Sequence, residues 1–182
     1  MEFSLYYRGP LKSNARPKDK HQVRQAFHKQ LKILWSQSPL TDFSDLKKID
    51  SEVSLVKSVG SFNFIPRVTG RMKSIAELEI TLLKPEKKGS IITNSGDIDN
   101  RLKTLLDALK IPETNALPTD INPQDDEDPF FCLLEDDNLI TNLFVKTEQW
   151  LDDNVADNSE VVAIIHVKTQ LTRIDVNNLG FA

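Results

Sequence analysis

The sequence predicts an α+β fold, with a single mixed or mainly antiparallel sheet packed against two main helices in one domain spanning 1–182. Three observations predict it. Short segments alternate apolar and polar residues, as half-buried strands do. Two longer segments carry apolar residues at three- and four-residue steps, as amphipathic helices do. The order mixes adjacent strands with helices rather than alternating them regularly, which separates α+β from α/β.

Residues 2–8, EFSLYYR, read as a first strand. The segment GPLKSNARPKDK follows as a basic loop broken by Pro10 and Pro17. From about Lys18 to Gln37, the residues Val23, Phe27, Leu31 and Leu34 make one stripe, with Lys and Arg expected on the other side. Segments 51–58, 61–68 and 76–83 read as strands, with Gly60 as a hairpin position between the first two. Pro66 has no N–H to donate, so its strand is expected at an edge or a bulge. In 76–83, Leu78, Ile80 and Leu82 alternate with Glu77, Glu79 and Thr81, which gives one wet face. A second helix is expected from about Ile98 to Lys110, where Leu102, Leu105, Leu106 and Leu109 form a stripe that Pro112 stops. The polar stretch 112–129 is longer than an ordinary connection and reads as functional or mobile. Two more strands, about 139–149 and 160–169, complete the sheet.

The length suits one domain with a core of its own. Cys132 is the only cysteine, so no internal disulfide can form, and the reading is a cytoplasmic protein. The first ten residues lack the apolar run of a signal peptide, and no segment is long and apolar enough for a transmembrane helix. The net charge of −4 by itself opposes binding to phosphates. Its distribution is uneven. Residues 1–35 hold Arg8, Lys12, Arg16, Lys18, Lys20, Arg24, Lys29 and Lys32 against Glu2 and Asp19, while 111–145 holds no Lys or Arg and many acids. Such polarity reads either as a plain dipolar surface or as a phosphate-binding arm beside a cation site.

The informative stretch is Gly96-Asp97-Ile98-Asp99-Asn100-Arg101-Leu102-Lys103, continuing to Asp107. On a helix, Asp99, Lys103 and Asp107 follow one another at four-residue steps and stack on one face, beside the leucine stripe. Glu135-Asp136-Asp137 supplies a further acidic group before the strand at 139–149. Magnesium takes hard oxygen ligands and keeps several waters, so two or three carboxylates suffice to hold it. Phosphodiester hydrolysis needs charge neutralised on phosphate oxygens and an activated water, which magnesium and a lysine can provide. The same residues also suit plainer roles: an acid at a helix start caps free N–H groups, an Asp–Lys pair at four-residue spacing is ordinary surface chemistry, and Asp136 and Asp137 suit a turn.

GDIDNRLKTLLDAL, followed by LEDDNLI, resembles the core of the RusA family of Holliday junction resolvases, D-x-D-N-x-x-K-x-x-x-D-x-L and then a pair of Asp before a strand. The matching residues are Asp97, Asp99, Asn100, Lys103, Asp107, Leu109, Asp136 and Asp137. The resemblance implies that Asp97, Asp99, Lys103 and Asp137 are the essential residues, with Asp136 a further or alternate metal ligand. It also implies a RusA-like fold and a homodimer that binds branched DNA and cleaves it with magnesium. The likeness is specific over about 97–140. Around Gly9-Pro10 and Ser13-Asn14 it is partial, and the basic charge of the N-terminal arm makes Asn14, Arg16, Lys18 and Lys20 the expected DNA contacts. The chain departs from the family in its acidity, in the long 112–129 loop and in an added stretch near 40–70. The acidity and the long loop motivate the rival reading, a RusA-like dimer that grips structured DNA or a partner protein without cutting.

No rival site emerges from the other reactive residues. His21, His28 and His166 lack metal-ligand spacing, and Cys132 lies in an apolar run. The acids at 120–128 do not follow the calcium-loop pattern, and the glycines make no phosphate-cradling loop. Trp35 and Trp150 read as core or interface residues, with base stacking an alternative for Trp150.

Overall fold

The structure, a computed structural model, describes residues 1–85, 95–152, 159–175, 178 and 181, without the side chains of 95–97. The elements run β1 (Glu2–Pro10), α1 (Pro17–Trp35), β2 (Lys57–Val59), β3 (Phe62–Val68), β4 (Ser74–Lys84), α2 (Ser95–Leu109), β5 (Phe130–Leu134), β6 (Ile140–Gln149) and β7 (Glu160–Leu171), with short 3-10 turns between some of them. This is α+β with two main helices, as the sequence predicts. The single sheet is corrected: the described residues form two sheets, a four-stranded one ordered β1-β7-β4-β6 and a three-stranded one ordered β2-β3-β5. Both are mixed, because β4 pairs parallel with β6 and β3 pairs parallel with β5.

The split has a visible cause. β4 alternates buried with less buried positions, the signature of a sheet wet on one side. β5, FFCLL, is buried at every position and β3 at nearly every one, so this parallel pair needs cover on both faces. One face joins the main core, where Ile65, Val68, Phe131 and Leu133 meet Phe27, Leu31 and Trp35 of α1 and Leu105, Ala108 and Leu109 of α2. On the other face Phe62, Phe64, Phe130 and Cys132 pack against Leu117, with Ile111 and Ile121 beside them.

That second cluster explains the long connection at 112–129, whose apolar residues cover the three-stranded sheet. Its acidic part is tied to α1. His28 Nδ1 accepts from the Phe131 N–H at 2.8 Å while Nε2 donates to the Asp126 carbonyl at 3.0 Å. Lys32 donates to the same carbonyl at 2.7 Å, and the Gln25 amide donates to Glu127 at 2.7 Å. Burial pulls the His28 pKa down, in keeping with a neutral ring that donates from one nitrogen and accepts at the other.

Two local expectations also change. Segment 51–58 is mostly irregular, and only Lys57–Val59 forms a strand. Pro66 lies in the central strand of its sheet rather than in an edge strand. β2 ends its pairing at Phe64, however, so beyond that residue no strand among the described residues pairs with β3 on that side and Pro66 forfeits no ladder bond there. The helical stripe of α1 is apolar as expected, but His21, Arg24 and His28 are buried with it.

Candidate metal and nucleic-acid site

α2 carries the motif from its first turn. Asp99 and Lys103 are exposed, whereas Asp107 is only partly exposed because α1 packs there. Lys20 of α1 donates to the Asp107 carboxylate at 2.6 Å, and the Arg24 guanidinium donates to the Asp107 carbonyl at 3.1 Å. Arg24 is 1% exposed, and burial lowers its pKa from the ordinary value to about 10. Asp107 is therefore a structural clamp between the two helices. Lys20, expected to contact DNA, is engaged in that clamp.

The rest of the basic arm lies beside α2. Thr104, one residue after Lys103, donates its hydroxyl to the Lys12 carbonyl at 3.1 Å. Asn14, Arg16 and Lys18 are exposed. Arg16 is the residue that caps α1, and its backbone N–H donates to the Asp19 carboxylate at 3.1 Å. The same carboxylate takes Lys12 at 2.8 Å, which holds its pKa below the ordinary range. Pro17 at the helix start suits a position whose N–H is not needed.

β5 brings Asp136 and Asp137 back to α2. The segment after α2 runs beside the end of β5: Lys110 bridges to Leu134, and the Ile111 N–H donates to the Leu134 carbonyl at 3.0 Å. The next residue, Glu135, closes the end of the three-stranded sheet, with its carboxylate accepting from Lys57, Thr69 and the Gly70 N–H. Asp136 caps a 3-10 turn by accepting from the Asn138 N–H at 2.9 Å. Asp137 accepts from the Lys110 ammonium at 2.7 Å, and this bond holds its carboxyl below the usual carboxylate range. Partial burial pulls Lys110 down, but the bond to Asp137 and the charges of Asp137, Asp136 and Asp107 outweigh it and leave its pKa raised.

Comparison of the chain with protein-family models, with curated proteins and with solved structures finds no match.

The site residues thus fall into two groups along one helix. Asp99 and Lys103 stand near its start. Asp137 meets Lys110 just past the helix end, which lies about 15 Å beyond Asp99 along the axis at 1.5 Å per residue. Asp97 lies on α2, but its side chain falls outside the described residues, and so does its expected meeting with Asp99 and Asp137. Among the described residues, no three His, Cys, Asp or Glu side chains group closely enough to hold a metal ion. The pKa of Asp137 moves opposite to the rise expected of repelling acids, because a lysine stands beside it.

Lys110 is the partner of Asp137 that sequence reasoning missed. Its signal was present: it follows Asp107 by three residues and precedes the Pro112 stop. Nothing local, however, said that Asp137 would return to it across the long loop. The remaining expectations concern packing. Cys132 is buried, and its surroundings push the thiol pKa up. His21 is buried against Phe62 and Phe130. His166 lies exposed on the outer sheet face. No helix among the described residues is long and apolar enough to cross a membrane.

Proposed function

We propose that the chain is a magnesium-dependent endonuclease that hydrolyses phosphodiester bonds in branched DNA such as Holliday junctions. One observation carries the reading: after a long loop and a buried strand, Asp137, with Asp136 beside it, returns to Lys110 directly after the helix that bears Asp99, Lys103 and Asp107. Local folding does not require that return, whereas a nuclease assembled from two chain segments does.

The donor chemistry suits magnesium, which favours carboxylate oxygens and keeps waters of its own. The described side chains alone do not complete a set, and Asp99 and Asp137 lie toward opposite ends of α2, so a set drawn from Asp97, Asp99, Asp136 and Asp137 would require the turn before β6 to approach the helix start. Bound there, the ion would neutralise phosphate charge and make a water more acidic. Lys103, one turn along from Asp99, would offset charge on the phosphate, and Lys110 would give up Asp137 or share it. Asn14, Arg16 and Lys18 would hold the DNA backbone beside α2, which fixes position without reading sequence. A lone, buried Cys132 suits work in the cytoplasm.

A second reading, a module that grips branched DNA without cutting, is favoured by the ion pair that already occupies Asp137. A four-way junction and a linear duplex, each incubated with the chain with and without magnesium, separate the two. Cleavage of the junction only with magnesium supports the enzyme. Tight junction binding with no cleavage supports the module, and binding to neither substrate overturns both.

A further inference from the structure

Trp35 ends α1 and Phe131 belongs to β5, and their rings meet in the main core at 5.9 Å between centroids. Beyond this pair the packing is incomplete. A cleft of about 390 Å³ opens there, lined by Trp35, Phe131, Pro129, Ser36, Lys32 and Lys47. Its walls are apolar, and its charged groups are few and of one sign. Two lysines line it and no acid does, in a chain whose net charge is −4. Acids close to it in sequence have partners elsewhere: Asp45 takes Lys48, Glu127 takes Gln25, and Asp128 takes Asn63. Lys32 uses one donor on the Asp126 carbonyl, and an ammonium has three. Lys47 is partly exposed and makes no ion pair or hydrogen bond among the described residues. The end of α1 offers little competition for these lysines. The Ser36 hydroxyl and N–H both donate to the Ile33 carbonyl, at 2.7 and 3.1 Å, and the Gln37 N–H donates to the Leu34 carbonyl at 3.1 Å.

We propose that this cleft binds a small aryl-alkyl carboxylate, with its ring against Trp35 and Phe131 and its carboxylate at Lys47 and Lys32. Sites for small molecules are concave and mostly apolar, with a few polar groups that fix orientation, and they span a few hundred Å³. This cleft has that size, which admits a ring with a short chain and is too small for a helix or strand of a partner protein. Aromatic walls favour a ring, because offset or edge contacts add to the burial of its surface. The lysines choose the sign of the head group. A carboxylate beside an ammonium makes a charge-assisted hydrogen bond, whereas an amine there meets like charge. Lys47 has no other partner to give up. The cleft lies about 22 Å along α1 from Lys20, the residue that holds Asp107, so the proposal does not rest on the nuclease reading.

Heteronuclear NMR of the full chain tests it. Trp35 and Trp150 are the only tryptophans, so two indole N–H signals are expected, and Trp150→Phe assigns them. The probes are phenylbutyrate, its neutral amide and phenylbutylamine, which share one body and differ in charge. Phenylbutyrate should shift the Trp35 signal saturably and leave that of Trp150 in place. The amide should bind at least about tenfold more weakly, and the amine more weakly still. Lys47→Gln should weaken phenylbutyrate by about fivefold and leave the amide unchanged, while Lys47→Arg should keep the binding. Lys47 is solvent-reachable, and the rest of the spectrum checks that both variants fold. No saturable shift at Trp35, equal binding of carboxylate and amine, or phenylbutyrate binding indifferent to Lys47→Gln would each overturn the proposal.

Discussion

The two ends of α2 differ in what holds their charges. At the C-terminal end every charge has a protein partner: Asp107 takes Lys20, Asp137 takes Lys110, and the buried Arg24 grips the backbone between the helices. Near the start, Asp99 and Lys103 project to solvent on positions that no core packing demands. One motif thus contains residues of two kinds. Asp107, sheltered between the helices with Lys20, is explained by packing, whereas Asp137, about half exposed beside Lys110, and the exposed acid at the helix start are both open to a ligand from outside. The difference separates Asp107, which sequence pattern alone groups with the site, from Asp99, which remains its best candidate.

The tightly held end should be sensitive to acid. His21 of α1 sits among Phe62 and Phe130, and burial, then the Arg24 charge, lower its pKa from 6.5 to about 4. Because the folded value lies below the unfolded one, stability is complete above pH 6.5 and falls as pH drops toward 4 while the unfolded chain alone takes the proton. The loss should reach about 3 kcal/mol at 1.36 kcal/mol per pH unit, with His28 adding in the same direction. Urea unfolding across pH 7 to 4 checks this, and His21→Phe should flatten the slope. An unchanged slope would place the acid sensitivity elsewhere.

A smaller effect is expected at the clamp itself. Lys20→Met and Asp107→Ala should each cost about 1 kcal/mol, and the double variant should cost less than their sum, because the pair is half sheltered and mostly acts as one unit. Full additivity in urea unfolding would mean that the ion pair contributes nothing to the contact between the helices.

The smallest effect concerns the arm. Arg16→Gln with Lys18→Gln should leave stability within about 0.5 kcal/mol, since both are exposed. It should also reduce the salt slope of DNA binding by about 2, near 0.9 for each phosphate no longer neutralised. Adding Lys20→Gln should weaken the fold and barely change the slope. A slope that falls mainly with Lys20 would reverse the division drawn between the clamp and the arm.

Much of this was legible in the sequence because period is local. The alternation of Leu78, Ile80 and Leu82 placed β4, and the leucines from Leu102 to Leu109 placed α2. The charged stripe was legible for the same reason, since four-residue spacing fixes a helix face. Partners across the fold were not. Whether Lys20 meets solvent or Asp107, and whether Asp137 meets a metal or Lys110, depends on contacts across 87 and 27 residues of chain. The second sheet was hidden too, because FFCLL is uniformly apolar and has no period to read. The cover made by 112–129 was masked by its acids, although Leu117 and Ile121 were its apolar signal.

The most direct test is the rate of magnesium-dependent cleavage of a four-way junction by the wild type and by Asp99→Asn, Asp137→Asn and Asp107→Asn. The account predicts loss of about a hundredfold or more at Asp99 and Asp137, with junction binding kept or tightened as negative charge is removed. It predicts loss of less than about tenfold at Asp107, whose partner is Lys20. Wild-type turnover in the Asp99→Asn variant, or no cleavage by the wild type in magnesium, would contradict it.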